Sequence, residues 1–83
     1  MAWAVRIDEV VTRQLVGMDD KVQSEFLMAM VDIGLDPYRG HPAGPGVSVR
    51  SVPLGDLGVI VYGLVESGEN EPAVVVLDVV WTG

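Results

Sequence analysis

The sequence predicts an α+β domain in which an antiparallel sheet packs on a helical hairpin, in the order β-α-α-β-β-β. Three observations carry this. Two apolar runs, residues 59–65 and 73–81, are rich in β-branched side chains that suit a pleated, buried surface. The turn formers of residues 67–72 separate them, which makes a hairpin. Ahead of both lies a helical repeat in which Val22, Phe26, Ala29, Met30 and Ile33 follow one buried stripe.

The elements follow in order. Residues 3–7 (Trp3-Ala4-Val5-Arg6-Ile7) alternate with the period of a half-buried strand. Asp8 is placed to cap a helix over residues 9–16, with Glu9 favourable in its first turn. Val11, Leu15 and Met18 share one face there, and Gly17 is the expected stop. Asp19 or Asp20 starts the second helix, and Gly34 is the expected C-terminal cap. The short break between the helices predicts an antiparallel hairpin. Residues 36–46 hold three prolines and three glycines and predict a loop without regular structure.

Three strands close the chain. Residues 47–54 place Val49 on one face and Arg50 and Val52 on the other, with Pro53 marking an edge or a bulge. Gly55-Asp56-Leu57-Gly58 is a tight connection into residues 59–66, the expected central strand. Residues 73–81 complete an antiparallel meander. The last strands show little polar alternation, so the sheet face away from the helices needs a cover or stays exposed.

Composition limits the function classes. Eighty-three residues, 49% of them hydrophobic, make a single domain (1–83) with enough apolar material for one core. No apolar run reaches the length of a membrane span, and no basic-then-apolar leader is visible, so a cytoplasmic, non-membrane protein is expected. The absence of cysteine excludes disulfides, thiolate metal sites and cysteine nucleophiles. Five basic residues against twelve acidic ones give a net charge of -7, which argues against tight non-specific nucleic-acid binding. The glycines form no phosphate-binding loop, since no strand–glycine loop–helix order and no Lys-Ser or Lys-Thr follows them. No cofactor or metal is expected.

His41, the only histidine, is of the type that serves as a general acid or base, but a Pro/Gly loop offers it no adjacent partner. Asp36 would be its nearest companion for a metal, without metal-loop spacing. Tyr62 reads as a core or half-buried ring with its hydroxyl reaching solvent. Trp3 and Trp81 read as packing residues, because base-stacking platforms come with basic grooves. Asp56 is a turn residue. Asp78, a carboxylate within an apolar strand, calls for water or a partner, with Arg6 and Arg50 as candidates.

Four features stand in a recognisable order and spacing: the strand of residues 3–7 running into Asp8-Glu9; the helix end Leu35-Asp36-Pro37-Tyr38; the strand pair from Arg50 through Gly55-Asp56 to Val61-Tyr62; and the final strand of residues 74–80. With these the chain resembles the RelE/ParE toxin superfamily of bacterial type II toxin–antitoxin modules. The resemblance implies a domain that inhibits translation as a ribosome-dependent mRNA interferase, an endoribonuclease, or inhibits gyrase as the ParE branch does. Interferases place cations on the sheet to stabilise charge building on phosphate oxygens. Arg50 stands at one such position and is the candidate catalytic cation, with His41 as a further catalytic candidate. Val52, Val59 and Thr82 stand where members frequently carry basic residues, and the sequence ends at Gly83, before the segment that often supplies a Tyr or His. The expectation is therefore a diverged member acting as a protein-interaction domain. Its partner would be a cognate antitoxin peptide or a second copy through the apolar sheet face. The alternatives are an active interferase that binds ribosome and mRNA, with Arg6, Arg39 and His41 joining Arg50, and a gyrase inhibitor.

Overall fold

Two aspartates start the helices. The Asp8 carboxylate accepts from the Val10 N–H at 2.9 Å, and the Asp19 carboxylate accepts from the Val22 N–H at 3.1 Å. Each satisfies a donor that the first helical turn leaves open. A computed structural model of the chain describes residues 3–44, 48–65 and 72–81. The elements are β1 (Ala4–Ile7), α1 (Glu9–Val16), α2 (Asp20–Leu35), a 3₁₀ turn (Pro37–Arg39), β2 (His41–Pro42), β3 (Val49–Leu54), β4 (Gly58–Val65) and β5 (Ala73–Trp81). The turn expected between the last two strands, and residues Val47 and Thr82, lie outside the described residues.

The fold is α+β, with two helices on one face of a five-stranded sheet of order β1-β5-β4-β3-β2. The sheet is mixed, which corrects the antiparallel expectation. β3, β4 and β5 form the predicted meander, but β1 pairs parallel with β5, Val5 opposite Val74 and Ile7 opposite Val76. A parallel partner leaves no local turn signal, so sequence reading could not find it. The second correction is β2. His41 and Pro42 pair with Ser51 and Arg50, so the Pro/Gly segment holds a 3₁₀ turn and a short edge strand. β2 covers only that part of β3. Pro53, which has no N–H to donate, therefore lies beyond β2 on an open stretch of the β3 edge.

The core is built as the periodicities require. Val11, Phe26, Met30 and Ile33 from the helices meet Leu54, Ile60, Tyr62, Val74, Val76 and Val79 from the sheet. Trp3 and Trp81 pack against this cluster. The Trp81 indole N–H also donates to Gln14 Oε1 at 3.3 Å, fastening the end of β5 to α1. Gln23 closes α1 by donating from Nε2 to the Leu15 and Met18 carbonyls at 2.9 and 3.0 Å. Gly34 is not a cap. It lies inside α2, which ends at Leu35, and lets β1 approach. Its carbonyl accepts from the Trp3 N–H at 2.8 Å, and a Cβ there would sit 3.3 Å from Val5 Cγ2.

One irregularity shapes β5. Val61 pairs with Asp78 but Tyr62 pairs with Val76, so Leu77 is an extra residue, a β-bulge. Val74, Val76 and Val79 are buried, whereas Leu77 and Asp78 are both exposed on the face away from the helices. Asp78 is satisfied locally by the Val79 N–H at 2.8 Å, and pairs with neither Arg6 nor Arg50. Among the described residues no helix is long and apolar enough to cross a membrane.

Candidate functional site

Arg50 is held on the helix-facing side of β3, opposite Tyr62. Its Nη1 donates to the Tyr38 carbonyl at 2.9 Å and to the Gly40 carbonyl at 2.8 Å. The guanidinium carbon also lies 5.3 Å from the centroid of the Tyr38 ring, within cation–π range. Tyr38 in turn meets Trp3 edge-on, with centroids 5.7 Å apart and planes at 88°. Arg50 thus ties down the turn that follows α2, and Nη1, which makes both bonds, is committed to backbone oxygens.

His41 is one strand away but out of phase. It pairs with Ser51, while Pro42 takes the position opposite Arg50. His41 is exposed, and among the described residues no side-chain hydrogen bond or ion pair orients its ring. It borders a cavity of about 230 Å³ between α2 and β3, together with Asp32, Arg39, Val52 and Pro53. Arg39 and Asp32 face each other there at 3.8 Å, both more than half exposed, a geometry worth little in energy. Arg6 lies on β1, three strands from Arg50 across the sheet. The candidate cations are therefore dispersed. Arg50 and Arg39 are engaged at the same end of α2, Arg13 pairs with Glu9 at 2.7 Å, and Arg6 is remote. Among the described residues no cluster of three or more His, Asp or Glu side chains could hold a metal.

Tyr62 sits at the base of this region. It is buried, and its hydroxyl donates to the Pro37 carbonyl at 2.7 Å instead of reaching solvent as expected. Burial pushes the hydroxyl above its ordinary range, and the Gly40 N–H and the nearby Arg50 charge act in the opposite direction. A group held protonated on a carbonyl is a structural donor, not a base.

The second concavity is of a different kind. An apolar groove of about 230 Å³ runs between α1 and α2, floored by Ile7, Leu15 and Phe26 and bordered by Val16 and Leu27. Along the outer side of α2, Leu27, Met28, Val31 and Leu35 are each more than 60% exposed. At about 100° per residue they fall within a ~100° arc. A stripe of that width on a helix ordinarily faces a partner. Sequence reading followed the buried stripe of the same helix and missed this one, although its spacing of four residues was visible. The Trp3–Tyr38–Arg50 cluster was also missed, since nothing in the spacing of those residues points to their meeting. Comparison with protein-family models, with curated proteins and with solved structures returns no match.

Proposed function

We propose that this chain is a diverged RelE/ParE-like domain that works by binding a protein, the antitoxin of a toxin–antitoxin module, rather than by cleaving RNA. The observation that carries the reading is the apolar groove between α1 and α2 with the exposed Leu27-Val31-Leu35 row beside it. Such a groove suits an amphipathic helix that lays its apolar side chains in at every third or fourth residue. Asp20 and Asp32 lie on the exposed part of α2, and the net charge is -7, so a helix with Lys and Arg flanking its apolar row is the complementary occupant. Against RNA cleavage stands the engagement of Arg50, whose Nη1 is committed to two backbone carbonyls.

The deciding experiment is a translation reaction with purified chain, ribosomes and a defined mRNA, read by primer extension. The binding reading expects no cleavage. It also expects that the protein encoded beside this chain co-purifies with it, and that Leu27→Asp with Val31→Asp removes the association. Cleavage at the ribosomal A site that Arg50→Ala abolishes would establish the interferase reading instead. Loss of gyrase supercoiling activity in the presence of the chain would establish the gyrase branch.

A further inference from the structure

The cavity of about 230 Å³ at the sheet edge lies on the β3 side of α2, whereas the apolar groove lies on its α1 side. Its lining is mixed. Ile33 and Val52 form apolar walls, Asp32 brings an anion, Arg39 a cation and His41 an imidazole. Arg39 Nη1 stands 3.8 Å from Asp32 Oδ2, beyond hydrogen-bond distance. The two charges are neighbours that leave each other's hydrogen-bonding positions open. Pro53 adds an acceptor. Positions facing the β2 side alternate along β3: the Val49 carbonyl accepts from the Ala43 N–H, and Ser51 stands opposite His41. Pro53 is the next of these, β2 does not reach it, and among the described residues no backbone donor meets its carbonyl.

We propose that this cavity binds a free α-amino acid with a short aliphatic side chain. Its ammonium donates to the Asp32 carboxylate and the Pro53 carbonyl, its carboxylate accepts from Arg39 and His41, and its side chain lies against Ile33 and Val52. The ammonium and carboxylate of one α-amino acid stand about 3 Å apart. A single ligand therefore reaches two opposite charges that are themselves 3.8 Å apart. It exchanges one loose ion pair, screened by solvent, for charge-assisted hydrogen bonds on both sides.

Charge and size select this class. An anion such as phosphate would meet the Asp32 carboxylate, and a simple amine would meet the Arg39 guanidinium. A ligand with both charges side by side satisfies the two. A metal ion lacks ligands here, since no group of three His, Asp or Glu side chains forms among the described residues. The volume falls below the ~300 Å³ at which pockets for drug-sized molecules begin, so the ligand is small. The groove between α1 and α2 has a different lining, so this inference does not rest on the function proposed above.

Titration of the isotope-labelled chain with L-leucine, followed by heteronuclear NMR, tests it. The amide signals of Asp32, Ile33, Arg39 and His41 should shift together and saturate at millimolar ligand or below, while those of Leu15 and Phe26 in the groove stay in place. N-acetyl-leucine lacks the ammonium and leucinamide lacks the carboxylate. Each should bind about tenfold more weakly or worse, the loss of one charge-assisted contact. Asp32→Asn and Arg39→Gln should each weaken leucine binding to the same degree. Both side chains are more than half exposed, so both variants should keep the wild-type denaturation midpoint. Four outcomes would overturn the proposal: no saturable shift with L-leucine; saturating shifts confined to the groove; a blocked analogue that binds as well as leucine; or binding that survives both substitutions.

Discussion

The hydroxyl of Tyr62, in the middle of the central strand, donates to the carbonyl of Pro37, the first residue of the turn after α2, at 2.7 Å. The bond spans 25 residues of sequence and is buried. It fixes where α2 ends relative to the sheet, and the Arg50 bonds to Tyr38 and Gly40 hold the next three residues of the same turn.

Tyr62→Phe keeps the ring and removes the donor. The Pro37 carbonyl is then left short of a partner in a dry environment, which costs about 1–3 kcal/mol. Chemical denaturation should show a lower midpoint with an unchanged slope.

The same hydroxyl gives a pH signature. Its folded pKa is raised by burial, so above the ordinary tyrosine value of about 10 the folded state binds more protons than the unfolded state. This contribution is fully present below about pH 10 and is lost as pH rises through the folded value. Stability should fall on the alkaline side, and Tyr62→Phe should reduce that fall when denaturation midpoints are compared from pH 8 to 11.

Gly40 is small because the turn closes on it. A Cβ there would run into the Tyr62 hydroxyl and come within 2.8 Å of the Ser51 carbonyl. Gly40→Ala should cost about 1–3 kcal/mol through overpacking. Gly17 has nothing within 4 Å of its would-be Cβ and a φ of -89°, so Gly17→Ala should be neutral or slightly stabilising. Thermal melts of the two variants make the comparison.

Arg50→Met retains much of the aliphatic stem but not the donors. The Tyr38 and Gly40 carbonyls lose their charged partner, and about 1–3 kcal/mol of stability should go with it. Near-ultraviolet circular dichroism should change as well, because the Tyr38 ring loses the cation above it while Trp3 stays at its edge.

Asp19→Ala removes the acceptor for the Val22 N–H at the start of α2 and should cost about 1 kcal/mol, read from the same denaturation curves.

Much of the architecture was legible because local signals carried it. The Asp8 and Asp19 caps, the Phe26-Met30-Ile33 stripe, and the boundaries of α1 and β5 all follow from residues close in sequence. The uniform apolarity of β5, which hid any alternation, has a physical cause. The bulge at Leu77 shifts the inward positions from Val74 and Val76 to Val79, so two alternating patterns of opposite phase run together. Gly34 was misread because a helix-ending glycine and a glycine under a crossing strand look the same in sequence. Arg50 was found as a candidate by likeness, but its bonds to Tyr38 and Gly40 depend on how the turn folds back over β3. No spacing rule encodes that.

The pairing of β1 with β5 also sets an order of events during synthesis. Of the elements of this domain β1 is synthesised first, yet the strand it hydrogen-bonds to, β5 (Ala73–Trp81), comes after all the others. Until then the first strand has no edge to join, and Val11 of α1 lacks the β5 surface that helps to bury it. The sheet is complete only once β5 has emerged, so a product truncated before Ala73 lacks a strand from the inside of the sheet, not from its rim.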